Sequence, residues 1–109
     1  MATQGMDNKM GKITVFVEEA LQDLIPGYLE NRREDLAAIG EALLKGDFEA
    51  IRSMGHKMKG SGGGYGFDGI TDIGRAMEEA AKMEHAEEIN RQTATLKSYL
   101  ERVDVVYRN

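Results

Sequence analysis

Apolar residues recur every three or four positions along most of this chain, in four segments separated by turn-forming residues. That spacing places the apolar side chains of each segment on one face of an α-helix. The four apolar stripes are Leu29, Leu36, Ile39 and Leu43; Ile51, Met54, Met58, Ser61 or Gly62, and Tyr65; Ile70, Ile73, Met77 and Ala81; and Ile89, Thr93, Leu96, Leu100, Val103 and Tyr107. We therefore expect four amphipathic helices that bury these stripes against one another.

Turn and capping residues set the expected helix boundaries. Pro26, the only proline, suits a first helical position, so a long helix should begin there. Gly46 can adopt the left-handed conformation that ends a helix, and Asp47 can accept an orphan amide hydrogen bond as the next N-cap. A second helix should then begin near Phe48. The last helix is expected from about Ala86 to Tyr107.

The expected fold is all-α, an up-and-down antiparallel four-helix bundle with a short extra N-terminal helix ending near Leu24. Short connections between long helices favour antiparallel neighbours. Alternating apolar residues occur only at Ile13, Val15 and Val17, which predicts a short extended segment and no sheet. The 109 residues suffice for one domain, which we assign to 13–109, preceded by a flexible N-terminal tail over 1–12.

Composition excludes several classes of function. The chain has no cysteine, so disulfides and thiolate metal sites are impossible. A net charge of -5 disfavours nucleic-acid binding. No segment approaches the roughly 18 apolar residues of a membrane span, and the N-terminus lacks the apolar core of a secretory signal. We expect a cytoplasmic monomer without a membrane or nucleic-acid partner.

Seven glycines lie between Gly55 and Gly69 in the segment GHKMKGSGGGYGFDG. Each helical glycine costs about 1 kcal/mol relative to alanine, so this density requires an explanation. One interpretation is a phosphate-binding loop, because residues 64–69 match G-x-G-x-x-G. That motif needs a preceding buried strand, whereas the preceding residues here have helical spacing. A P-loop also fails, because Ser61 stands where the motif requires lysine.

The other interpretation is a helix whose glycines shape a surface around His56. At 100° per residue, one group of residues lies within about 60° of the histidine, whereas the apolar stripe lies about 160° away on either side. The nearby group contains Arg52, Ser53, Lys59, Gly60 and Gly63, and the opposite stripe contains Met54 and Met58. His56 should therefore face solvent, in a locally basic surface. An ordinary imidazole is mostly neutral and nucleophilic at neutral pH.

These residues resemble a known family. The segment from His56 to Gly62, HKMKGSG, followed by Tyr65-Gly66, resembles the H-x-[hydrophobic]-K-G-[small]-[small] signature of histidine-containing phosphotransfer (HPt) domains. The resemblance extends from about Pro26 to Leu100. It includes the next helix, where HPt domains carry a similar apolar pattern ending in glutamate, here Ile70, Ile73, Gly74, Met77 and Glu78. Gly55 stands where alanine is commoner, and Gly62 to Gly64 leave open how far the helix continues beyond Ser61.

The resemblance implies a phosphoryl carrier in a two-component phosphorelay rather than an autonomous kinase. His56 would accept a phosphoryl group from the aspartyl phosphate of a response-regulator receiver domain, or from a hybrid histidine kinase, and pass it to another receiver. Lys59 would stabilise the phosphate, and Gly60 would give the partner access. We expect further partner contacts at Arg52, Lys57 and Gly63. The resemblance implies no cofactor or metal in this chain, since magnesium belongs to the receiver.

A non-catalytic helical scaffold or protein-interaction bundle remains the alternative. In a scaffold, the glycines would serve tight helix packing and should lie on the apolar stripe, whereas Gly60 and Gly63 lie on the histidine face. The other histidine, His85, is expected to be a solvated surface residue near the start of the last helix. A kinase is discounted because the chain has no nucleotide motif.

Overall fold

The computed structural model describes residues 11–109, which form four α-helices and two short strands. The helices are α1 (Ile25–Leu44), α2 (Phe48–Gly62), α3 (Asp68–Lys82) and α4 (Ala86–Arg102). Strand β1 (Ile13–Glu18) precedes them, and strand β2 (Val103–Arg108) follows them. Six-residue and three-residue 3-10 helices, Glu19–Leu24 and Gly63–Tyr65, lie before α1 and after α2. The prediction of four main helices is confirmed.

The helices contact one another in chain order, and α1 also contacts α4, so the four surround one core. Helices α2 and α3 form the most extensive of these contacts. The largest fully buried side chains come from all four helices and from the adjoining segments: Val17, Ile25, Ile39, Ile51, Met58, Phe67, Ile70, Met77, Ile89 and Leu96. The antiparallel direction of neighbouring helices stays a prediction.

Local signals account for the boundary between α1 and α2. Gly46 adopts a left-handed φ of 69°, which a residue with a side chain rarely adopts. The Asp47 carboxylate accepts a hydrogen bond from the Ala50 amide at 3.1 Å and so caps α2. The expected start of α2 at Phe48 is confirmed, and the helix reaches Gly62 before it tightens into the 3-10 turn.

The end of the chain differs from the prediction. Helix α4 stops at Arg102, and residues 103–108 form β2, which pairs in parallel with β1, so the expected helix to Tyr107 and the absence of a sheet are both wrong. Val103 and Tyr107 are four residues apart, and that separation places two side chains on one face of a helix and also of a strand. The β-branched run Val103, Val105 and Val106 favours the strand, because such side chains suit a pleated surface.

The N-terminal part of the described chain contributes one face of the sheet to the core. Val15 and Val17 of β1 are buried, which agrees with the extended segment predicted from their alternation. The 3-10 helix Glu19–Leu24 has no buried residues, so the extra N-terminal helix is not confirmed as part of the bundle. The predicted tail, 1–12, lies outside the described residues except for Gly11 and Lys12. Within 11–109, no helix is long and apolar enough to cross a membrane.

Candidate functional site

The candidate site lies midway along α2, where His56 is directed away from the core. Its side chain is 64% exposed, whereas that of Met58, two residues later, is fully buried. The neighbouring Lys57 is also exposed. The predicted solvent exposure of His56 is therefore confirmed, and it follows from the helical spacing that buries Ile51 and Met58 on the opposite face.

A buried carboxylate from α3 holds one nitrogen of the histidine ring. Glu78 is 4% exposed, and its Oε2 lies 3.1 Å from His56 Nδ1. Its other oxygen, Oε1, lies 2.8 Å from Lys59 Nζ. We refer to His56, Lys59 and Glu78 as the His56 cluster. Both oxygens of the buried carboxylate thus have a partner, which is what a buried charge requires.

The state of Glu78 determines the tautomer of the ring. The hydrogen-bonded Lys59 ammonium holds the pKa of Glu78 below its usual value; burial opposes this shift, and the hydrogen bond with His56 adds to it. At neutral pH the carboxylate is therefore ionised and can only accept hydrogen bonds. His56 Nδ1 must then carry the ring proton and donate a hydrogen bond to the Glu78 carboxylate. No described residue forms a hydrogen bond with Nε2, so its lone pair remains available.

Two glycines bring α2 and α3 close enough to form the cluster. A Cβ on Gly74 of α3 would lie 2.5 Å from the Lys59 amide nitrogen and 2.7 Å from the Gly55 carbonyl oxygen. A Cβ on Gly55 would lie 2.7 Å from the Glu78 amide nitrogen. The helix backbones are therefore in direct contact beside the histidine. This close approach gives a physical reason for glycine at positions 55 and 74.

The glycines after Lys59 divide into two groups. Gly62 packs against α3, because a Cβ there would lie 2.7 Å from the Thr71 amide nitrogen. Gly60 and Gly64 have open space at the same position, since apart from the adjoining backbone no described atom lies within 4 Å of it. Gly63 is exposed, and its amide donates to Thr71 Oγ1 at 2.8 Å. Packing thus explains Gly62 but not Gly60, which lies one turn beyond His56.

The basic residues among the predicted partner contacts differ in their ion pairs. Arg52 forms a hydrogen-bonded ion pair with Glu49, one turn earlier on α2. This hydrogen bond lowers the pKa of Glu49 and raises that of Arg52. No salt bridge of Lys57 occurs within residues 11–109. The basic surface around His56 therefore contains one cation paired on its own helix, one paired with Glu78 and one without an ion pair among the described residues.

Sequence reasoning placed Glu78 in the family pattern but did not identify it as a site residue. Its position in the sequence indicated that Glu78 is buried, because it lies one helical turn after Gly74 and next to Met77, within the stripe that α3 buries. A carboxylate on a buried stripe needs a cation or several hydrogen-bond donors. The basic residues of α2 were the nearest candidates. Within the described chain, no group of three or more metal-ligating side chains is assembled.

Comparison with known proteins agrees with this geometry. A family model described as Hpt domain matches residues 13–105, which is most of the chain. The chain belongs to the Hpt domain family. Membership implies a phosphotransfer function in phosphorelay signalling. Hpt domains are phosphocarriers rather than autonomous kinases, and they interact with receiver domains and histidine kinases. No curated protein and no solved structure gives a significant match.

Proposed function

We propose that His56 is the phosphoryl acceptor of this Hpt domain and that Nε2 is the reacting atom. One observation carries the proposal: a buried, ionised carboxylate binds Nδ1 of a histidine whose side chain is 64% exposed. This arrangement fixes the tautomer that leaves the Nε2 lone pair free. It also directs that lone pair toward an incoming partner rather than toward the core.

The proposed transfer requires no base in this chain. The Nε2 lone pair attacks phosphorus of a receiver's aspartyl phosphate, the N–P bond forms, and the bond from phosphorus to the carboxylate oxygen breaks. The electron pair of that bond leaves with the aspartate carboxylate. The ring keeps its Nδ1 proton and becomes positively charged, and the Glu78 carboxylate compensates that charge. Transfer to a second receiver is the reverse reaction.

Lys59 is proposed to stabilise the phosphoryl group. Its ammonium has three hydrogen-bond donors, of which Glu78 Oε1 uses one. The other donors are available to phosphoryl oxygens, as charge-assisted hydrogen bonds. Lys59 therefore has two proposed functions: it keeps Glu78 ionised before transfer and binds the phosphoryl group afterwards.

The receiver is proposed to dock on the exposed face of α2. Gly60, one turn from His56, has no side chain, and the open space there leaves room for a partner. We propose partner contacts at Arg52, Lys57 and Gly63, on either side of it. A histidine kinase is the second proposed donor, and magnesium is expected on the receiver. The proposed compartment is the cytoplasm.

Label transfer from a phosphorylated receiver domain tests the acceptor. The chain contains two histidines, so His85→Gln is a matched control for His56→Gln. His85 is exposed at the start of α4. We expect wild type and His85→Gln to acquire acid-labile phosphate, and His56→Gln to acquire none. Equal labelling of His56→Gln, or no labelling of wild type by any receiver of its source organism, contradicts the proposal.

Two further variants separate chemistry from docking. Lys59→Ala should slow transfer without unfolding the domain, because the lysine is partly exposed. Gly60→Gln should weaken docking more than it changes stability, because the space at Gly60 is open. In the scaffold alternative the wild-type domain accepts no phosphoryl group, so there is no transfer for either variant to slow. The open space at Gly60 supports phosphotransfer over the scaffold, since helix packing does not require that glycine.

A further inference from the structure

Within residues 11–109, the two-stranded sheet has one edge without a strand partner, and its outer face carries one exposed apolar pair. Phe16 of β1 is 50% exposed and Val106 of β2 is 39% exposed, and the two are paired in register across the sheet. Parallel strands are normally covered on both faces, so a two-stranded parallel sheet with an open face is unusual. The edge without a strand partner and this exposed apolar pair together mark the sheet as a candidate interaction surface.

The two edges of the sheet are not equivalent. Along β1, the backbone of Gly66 approaches closely, because a Cβ on that glycine would lie 3.1 Å from the Phe16 carbonyl oxygen. Along β2, the only strand pairing within 11–109 is with β1. The outer edge of β2 therefore presents backbone amide and carbonyl groups that another strand can pair with.

The charges on β2 indicate which strand fits. Every second residue of β2 lies on the outer face, namely Asp104, Val106 and Arg108. Neither of the two charged residues forms a salt bridge with a described residue. The Arg108 guanidinium carbon lies 4.0 Å from the centroid of the Phe16 ring, so this cation is held over the same face. When β2 pairs antiparallel with another β2 and Val106 meets Val106, Asp104 of each copy lies opposite Arg108 of the other.

Neighbouring registers lose this match. If Val105 meets Val105, Asp104 lies opposite Val106. If Tyr107 meets Tyr107, Arg108 lies opposite Val106. Opposite charges on directly facing residues stabilise an antiparallel pair, and uncompensated ones do not. Only the Val106-centred register makes the edge self-complementary, as a two-fold symmetric interface requires.

From this match we infer that a second copy of the chain pairs along β2 and forms a four-stranded sheet across a two-fold axis. The two apolar pairs Phe16 and Val106 then form one continuous row on its outer face. A monomer is the expectation from the sequence, and a helix to Tyr107 would have offered no such edge. The sheet contacts Gly66, which lies beyond the end of α2 at Gly62, whereas His56 lies about 9 Å before that end along the helix axis, so pairing leaves the histidine accessible.

A charge-swap experiment tests the interface without any phosphoryl transfer. Sedimentation over a concentration series should show a dimer for wild type. Asp104→Arg and Arg108→Asp alone each replace two attractive pairs by repulsive ones, so each should weaken dimerisation by about tenfold or more. The double variant restores both pairs and should recover the dimer. Glu34→Arg and Lys97→Asp, which change exposed charges on α1 and α4, serve as charge-matched controls.

Cross-linking tests the register. Because the chain has no native cysteine, Val106→Cys introduces the only thiol, and in the proposed register it faces its counterpart. Mild oxidation should give a disulfide-linked dimer of Val106→Cys, but not of Thr14→Cys, which is exposed on β1. A monomer at every concentration, equal dimerisation of the single and double charge variants, or equal cross-linking at both positions overturns the inference. These outcomes do not depend on whether His56 accepts phosphate.

Discussion

Gly60 and Gly74 should respond oppositely to the same substitution. Gly60 lies within α2 with open space around its Cβ position, so Gly60→Ala gains helix propensity and loses nothing by packing. The expected gain is about 1 kcal/mol in the free energy of unfolding. Gly74 lies within α3, where the new Cβ would meet three atoms of α2 at 2.5 to 2.7 Å, two of them in the backbone. Backbone atoms cannot rotate away, so the helices must separate.

Overpacking of a core costs about 1 to 3 kcal/mol, and backbone clashes place Gly74→Ala near the upper value. With the helix-propensity gain subtracted, the net loss should be about 2 kcal/mol. Urea unfolding followed by circular dichroism measures both variants. For a slope of about 1.5 kcal/mol per molar, the midpoint should rise by about 0.7 M for Gly60→Ala and fall by about 1.3 M for Gly74→Ala.

The result bears on function as well as packing. A stabilised Gly60→Ala shows that the fold does not need this glycine, which leaves partner access as its remaining explanation. If Gly60→Ala lost stability, the open space described at Gly60 would be incorrect, and if Gly74→Ala gained stability, the described contact between α2 and α3 would be incorrect. The His56 cluster, which depends on that contact, would then be incorrect as well.

Three other predictions concern charged and capping groups. Glu78 has a lowered folded pKa, so its stabilising contribution is present above its ordinary value of 4.5 and is lost as the pH falls; Glu78→Gln should flatten the acid side of the stability profile. Burial, and secondarily the charge of Asp68, raises the pKa of Tyr99 to about 12, so its contribution is lost only as the pH rises above the ordinary value of 10.0. Tyr99→Phe should remove from an absorbance titration a phenol that ionises near pH 12, and the loss of a phenol that ionises near its ordinary value of 10.0 contradicts this assignment. Asp47→Ala removes the cap on Ala50 and should cost about 1 kcal/mol in urea unfolding, whereas an unchanged midpoint would exclude a stabilising cap.

The sequence predicts the helical part of the fold well, because each helix carries its own local signals. Apolar spacing marks the buried faces, Pro26 suits the start of α1, and Asp47 caps α2. Strand β2 is different, since its formation depends on pairing with β1, almost the whole chain away. No local window contains that pairing, and residues four apart fit both a helix and a strand.

The candidate site was predictable in part for the same reason. His56, Lys59 and Gly60 belong to one helix, so helical geometry alone places them on one exposed face. Glu78 joins them only because α2 and α3 touch at Gly55 and Gly74. Such an approach is a property of two helices together, and the sequence indicates it only through glycine and a charged residue on a buried stripe.

The three side chains of the His56 cluster depend on one another, which makes Lys59 more than a phosphate ligand. A buried Glu78 without a cation would tend to take up a proton, and a protonated carboxyl group no longer requires the proton to stay on Nδ1. Because the hydrogen bond with Lys59 is the largest cause of the lowered pKa of Glu78, Lys59→Ala should raise that pKa and also reduce the Nδ1-protonated tautomer of His56. Nitrogen NMR of the unphosphorylated variant reports the tautomer directly. A lysine that served only the phosphoryl group would leave the tautomer unchanged, so this measurement distinguishes the two functions before any phosphate is transferred.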